Sequence, residues 1–85
     1  MKKKICILGS TGSIGVSTLE IISKDKKNFD VILLSGNNNY KLLISQAIKF
    51  KPKYIYSNNL FLIEKIKFFC KKKKIIIISD NDTNW

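Results

Sequence analysis

Gly9-Ser10-Thr11-Gly12-Ser13-Ile14-Gly15 is the stretch on which the fold of this 85-residue chain turns. The apolar run Ile5-Cys6-Ile7-Leu8 leads into it, and a helix-like segment, Val16 to Ser23, leads out. In a strand–loop–helix unit the first glycine permits a sharp turn off the strand. The second removes a side chain where a pyrophosphate approaches the backbone, and the third lets helix and strand pack closely. The helix aims free N–H groups and its positive dipole end at the loop, which favours an anion there. The spacing is G-x-x-G-x-x-G rather than the commoner G-x-G-x-x-G. Ser10, Thr11 and Ser13 fill the gaps with hydroxyls able to cap the helix or bond phosphate oxygens. Strand before, helix after and hydroxyls within separate this loop from a ligand-free glycine turn and predict nucleotide binding.

Outward from the loop, the pattern alternates. Lys4 to Leu8 reads as a parallel strand covered on both faces, and Cys6 within it as a small buried residue. Ser13 to Ser23 reads as a helix with Ile14, Leu19, Ile21 and Ile22 on its buried side. A polar connection, residues 24–28, precedes a second strand from Phe29 to Ser35. Gly36-Asn37-Asn38-Asn39 closes that strand as a turn in which positive φ is tolerated. Asn39 is the expected cap of a helix from Tyr40 to Phe50 that stops before Pro52, with Leu42, Leu43, Ala47 and Phe50 at helical spacing. Tyr54-Ile55-Tyr56 is a short third strand. Asn58 or Asn59 starts a third helix to about Lys72, carrying Leu62, Ile63, Ile66 and Phe69 on one face, and Ile75 to Ile78 is a fourth strand. The expected fold is therefore α/β: a Rossmann-like, doubly wound parallel sheet, partial, with about four strands and three helices. Right-handed crossovers constrain the strand order: the first three are expected as 3-2-1, and the fourth either at the edge beside the third, the preferred reading, or beside the first.

Length permits one small domain, whereas a complete dinucleotide-binding sheet needs two mononucleotide halves. Residues 1–85 are expected to be the N-terminal part of an NADP(H)-binding domain, because the run up to Trp85 does not resemble a domain end. The formal charge is +10, yet all 16 basic residues are lysine, whereas specific nucleic-acid binders lean on arginine. Lys, Ile and Asn together make up 39 of the 85 residues, the mark of an A- and T-rich coding sequence rather than of a nucleic-acid partner. Two distant cysteines and no histidine argue against a metal site or a disulfide scaffold. No apolar run approaches the ~18 residues of a membrane span, and the one after Lys4 is too short for export. The expected location is the cytoplasm or an organelle matrix.

The second strand ends about 20 residues past the glycine loop, where NAD-binding proteins place a carboxylate against the ribose 2′-hydroxyl. Ser35, Gly36 and Asn37 stand there instead. A carboxylate would repel a 2′-phosphate; its absence admits NADP, with Asn37, Asn38 and Lys41 as candidate partners. An asparagine-rich turn without a ligand is the other reading of that segment.

The run from Lys4 to Gly15, then Ser17-Thr18-Leu19, resembles the N-terminus of the 1-deoxy-D-xylulose 5-phosphate reductoisomerase family. The resemblance continues through Gly36-x-Asn38 and Phe50-Lys51-Pro52-Lys53-Tyr54, and weakens after Tyr56. It implies that NADPH is held by the loop Gly9, Ser10, Thr11, Gly12, Ser13, Ile14 and Gly15, and by Gly36, Asn37 and Asn38. Family members often carry a basic residue where this chain has Asn37. It further implies an NADPH-dependent isomeroreductase of non-mevalonate isoprenoid biosynthesis, homodimeric at full length. That enzyme converts the sugar phosphate 1-deoxy-D-xylulose 5-phosphate to 2-C-methyl-D-erythritol 4-phosphate with a divalent metal, magnesium or manganese. The family's metal ligands and catalytic residues lie in later segments, so this chain on its own is expected to be inactive. Two alternatives stand beside this: another NADP-dependent dehydrogenase, whose loops tend to lack the downstream Gly36-x-Asn38 pattern, and an inactive truncated product.

Overall fold

The structure, a computed structural model, describes residues 2–80. Strands β1 (Lys3–Ile7), β2 (Phe29–Ser35), β3 (Tyr54–Tyr56) and β4 (Ile76–Ile78) alternate with helices α1 (Ser13–Ser23), α2 (Tyr40–Phe50) and α3 (Leu60–Lys73). The pairing is parallel throughout, in the order β1-β2-β3-β4, so β4 takes the edge beside β3. This is the α/β, Rossmann-like partial sheet expected from the sequence. The polar connection before β2 contains a 3₁₀ turn, Lys26–Asn28, that periodicity did not reveal.

Local chemistry sets the helix ends. The Asn39 side-chain oxygen accepts the Leu42 N–H at 3.2 Å, and that of Asn59 accepts the N–H groups of Phe61 and Leu62 at 3.0 and 3.3 Å. Such caps contribute about 1 kcal/mol each. Both helices exit through lysines in the left-handed region, Lys51 at φ 50° and Lys74 at φ 59°. Glycine is the usual residue there. Pro52 disfavours helical backbone at Lys51 and so ends α2 at that point.

Each crossover steps one strand in the same direction, and right-handed connections then lay all of α1, α2 and α3 on one face. The core agrees. Leu19 and Ile22 of α1, Leu43 and Ala47 of α2, and Leu62, Ile66 and Cys70 of α3 form one cluster with Ile7, Val31, Leu34 and Ile55. Val31 and Leu34 are three apart yet both reach it, because the register slips by one residue: Ile5 faces Val31, but Cys6 faces Leu33. A bulge of this kind inserts the extra residue that keeps both leucine and valine inward. Burial pushes the Cys70 thiol up to about 11, which keeps it neutral and inert.

The opposite face of the sheet carries no helix among the described residues, and this corrects one expectation. Cys6 is exposed, not buried, and so is Leu8. Cys6, Leu8, Leu33, Tyr56 and Ile78 line an open apolar groove of about 500 Å³, with Asp80 among its lining residues. A second correction concerns α1. Gly15, Leu19 and Ile22 make its buried stripe, spaced i, i+4, i+7, while Ile14 and Ile21 sit one position off it and are 82% and 70% exposed. On α2 the buried stripe includes a polar residue, Gln46, beside Leu43 and Ala47.

Candidate dinucleotide-binding site

The three loop glycines have three separate physical reasons. Gly9 turns off β1 at φ +67°, a conformation costly for any residue with a Cβ. Gly15 lies where a Cβ would collide with the Gly9 carbonyl oxygen and come within 2.7 Å of the Ser10 Cα. Gly12 is different: a Cβ there would meet only the Gly9 oxygen, at 3.4 Å, so the protein itself leaves room for a side chain.

Helix α1 begins at Gly12 with no side-chain cap, unlike α2 and α3. The hydroxyls expected to cap it do not. Ser10 is wholly buried, and its hydroxyl donates to the Ser35 carbonyl at 3.0 Å, so it is turned away from any ligand at the loop's outer side. Among the described residues the N–H groups of Thr11, Ser13, Ile14 and Gly15 donate to no protein acceptor. Orphan amides at an exposed helix start, together with the dipole, make a place for an anion.

The loop is held from beneath by the end of β2. The Gly9 N–H donates to the Ser35 hydroxyl at 2.6 Å, and the Ser10 N–H to the Ser35 carbonyl at 2.8 Å. Ser35 is followed at once by Gly36, Asn37 and Asn38, so the two predicted segments adjoin. Gly36 is not in the left-handed region, which corrects the turn argument. Its lack of a Cβ serves close packing instead, since a Cβ would stand 3.0 Å from a Leu43 methyl. Asn37 and Asn38 are exposed, and among the described residues their side-chain amides bond to no protein group. Lys41 is exposed one turn further on.

At the same end of the sheet, Asp80 ties β4 to β3. Its carboxylate accepts the Tyr56 hydroxyl at 2.5 Å and the Asn58 side-chain amide, while its own N–H donates to the Asn58 oxygen at 2.7 Å. The Tyr56 hydroxyl bond holds the Asp80 carboxyl below its ordinary 3.8, and the same bond raises the Tyr56 phenol above 10.0. A depressed acid contributes above its unfolded value and is lost as pH falls through the folded one. A raised phenol contributes until pH climbs through its folded value. The tie is therefore whole from about 4 to 10, and it is lost only as pH drops below the ordinary carboxyl value to the lowered one or climbs above the ordinary phenol value to the raised one. Asp80→Asn is expected to bring the Tyr56 ionisation, followed by phenolate absorbance, back toward 10.0; no movement would mean that the pair does not form.

A family profile described as 1-deoxy-D-xylulose 5-phosphate reductoisomerase matches residues 5–83. The chain belongs to this family. The reductoisomerase of Elusimicrobium minutum is 41% identical over 81 residues, which is 95% of this chain and 20% of that protein. Among solved structures, the Zymomonas mobilis reductoisomerase in complex with NADPH superposes with a TM-score of 0.85 at 28% identity. It covers 96% of this chain, which spans 22% of the relative. A reductoisomerase solved with NADPH, fosmidomycin and magnesium gives 0.78 at 30% identity, covering 94% of this chain and 20% of the other. The chain thus spans about a fifth of the length of the reductoisomerases it matches.

Two parts of the site escaped the sequence reading. By its sequence position Ser35 is only a strand end beside a ribose, yet it is the post on which the glycine loop hangs. Gln46, 36 residues from Ser10, donates to its carbonyl at 2.7 Å from inside the α2 stripe. Its one sequence signal is a polar residue at a position the helical period assigns to the core. Among the described residues no three His, Cys, Asp or Glu side chains converge into a metal ligand set. No described helix is long and apolar enough to cross a membrane.

Proposed function

We propose that residues 1–85 are the NADPH-binding part of a 1-deoxy-D-xylulose 5-phosphate reductoisomerase and contribute the cofactor half of its active site. The observation that carries this is the uncapped start of α1, where orphan amides surround a Gly12 that the protein does not itself need to be glycine. A pyrophosphate fits such a cradle: its oxygens take the Thr11, Ser13, Ile14 and Gly15 amides, and Gly12 lets it come close. Asn37 and Asn38 then lie beside the adenosine ribose. In the family's reaction 1-deoxy-D-xylulose 5-phosphate is rearranged and the resulting aldehyde is reduced with NADPH to 2-C-methyl-D-erythritol 4-phosphate. The part played here is to bind and orient the dinucleotide. The metal ligands, the sugar-phosphate site and the homodimer contacts belong to other segments of the family, and the lysine excess serves no nucleic acid. The setting is the cytoplasm or an organelle matrix. An open reading frame running past Trp85 into acidic metal-binding segments would support this domain assignment; a frameshifted remnant would favour a decayed gene.

NADPH should be preferred over NADH. No carboxylate stands at the end of β2 to repel the 2′-phosphate, and neutral amides donate to it. Neutral donors are weaker than charged ones, so the preference is expected to be about tenfold. Dissociation constants for both cofactors, measured by nicotinamide fluorescence on the full-length polypeptide, test it. Asn37→Asp should abolish the preference; equal wild-type affinities would refute the role given to this loop.

A further inference from the structure

We propose that Gln46 is a positioning residue that aims the Thr11 amide at the dinucleotide pyrophosphate, an inference that rests on the cofactor reading above. All polar groups of Ser10 are spoken for. Its N–H and hydroxyl both donate to the Ser35 carbonyl, and its own carbonyl accepts from the Gln46 side-chain nitrogen at 2.7 Å. A carbonyl can only accept, so the orientation of the Gln46 amide follows from the contact itself. Ser10–Thr11 is a trans peptide, and in a trans peptide the C=O and the next N–H point in opposite directions. Drawing the Ser10 carbonyl inward to a buried side chain therefore turns the Thr11 N–H outward, where it meets no acceptor among the described residues, as is true of the N–H groups of Ser13, Ile14 and Gly15.

Stability does not explain this glutamine. Gln46 is 7% exposed, and its side-chain oxygen is buried without a hydrogen-bond partner among the described residues. Leucine, of similar reach, would remove that unpaired acceptor and leave the Ser10 carbonyl without its donor, so the two penalties offset and stability alone does not select glutamine. What glutamine adds is a donor directed at one carbonyl. The loop needs that donor: the Ser10–Thr11 plane turns about the Ser10 ψ and Thr11 φ, and among the described residues the Gln46 bond is the one hydrogen bond that either of its polar groups makes. An unanchored plane could turn its carbonyl outward, toward the phosphates, replacing an attraction with a repulsion.

The test compares wild type, Gln46→Leu and Gln46→Glu in the full-length polypeptide, measuring dissociation constants for NADPH and NADH and thermal unfolding. Gln46→Leu should weaken both cofactors by the same factor, on the order of tenfold, because they share the pyrophosphate, while the melt stays close to that of wild type. A lesion of the Asn37 loop would instead change the ratio between the two cofactors. Gln46→Glu adds a pH readout. A protonated glutamic acid donates to the Ser10 carbonyl, and an ionised one repels it. Its affinity relative to wild type should therefore be near normal at low pH and fall as pH rises through the glutamate's own pKa, which burial raises. Should Gln46→Leu fail to fold, this pH dependence decides alone. Wild-type binding matched within twofold by both variants, or a Gln46→Glu loss that is flat with pH, would overturn the role of Gln46. No NADPH binding by wild type would overturn the cofactor reading, and the inference with it.

Discussion

Gly15→Ala is expected to destabilise the protein by about 3 kcal/mol and to abolish NADPH binding at the same time. The added methyl would strike the Gly9 carbonyl oxygen and come within 2.7 and 2.9 Å of the Ser10 Cα and carbonyl carbon. Those are backbone atoms, and they have no freedom to retreat. Three hydrogen bonds to Ser35 and one from Gln46 hold the Gly9–Ser10 segment in place. The helix would have to move instead, which withdraws Leu19 and Ile22 from the core. Denaturant titration of the full-length polypeptide should show an earlier midpoint with an unchanged slope. A variant as stable as wild type would mean that α1 does not approach β1 as closely as described.

Much of this was readable before any coordinates because the signals are local. The Asn39 cap, Pro52, the glycine loop, the 3.6-residue spacing and short apolar runs all act within a few residues, and with them the expected bounds of α1, α2, β2 and β3 match the observed ones. Gly9 and Gly15 were likewise readable, since a strand–loop–helix unit imposes their duties wherever it occurs. Failures came where a residue's environment depends on distant chain. Cys6 belongs to a strand with the expected apolar run, yet its exposure is set by whether anything covers the second face. Ile14 and Ile21 were misplaced because isoleucine is so common here that one more apolar residue carries little information about inside and outside. The residue type of Ser10 suggests a helix cap or a phosphate ligand. Only the arrival of Ser35 beside it turned the hydroxyl inward. Tyr56, Asn58 and Asp80 carry no pattern at all until β3 and β4 pair. The left-handed lysines at 51 and 74 break the glycine rule, so their conformation was not legible either.

Gly12→Val should separate binding from folding, which Gly15→Ala cannot do. The backbone at Gly12 is extended, at φ −78° and ψ 170°, and any residue adopts it. A Cβ would meet a single protein atom, at an ordinary 3.4 Å, and its position at the exposed start of α1 lets the rest of the side chain project to solvent. The expected loss of stability is therefore below about 1 kcal/mol. Binding has no such tolerance. If the amides of Thr11, Ser13, Ile14 and Gly15 hold the pyrophosphate, the space above Gly12 is where its oxygens must pass, and two methyl groups would fill it. Each tenfold in affinity corresponds to about 1.4 kcal/mol, and steric exclusion from several charge-assisted bonds at once should cost on the order of a hundredfold or more. NADH should suffer as much as NADPH, because the clash is with the part they share. Calorimetric titration with each cofactor, beside a thermal melt, gives both quantities from one preparation. A well-folded Gly12→Val protein that binds NADPH like wild type would remove the pyrophosphate from this loop. The orphan amides of α1 would then need another anion to explain them.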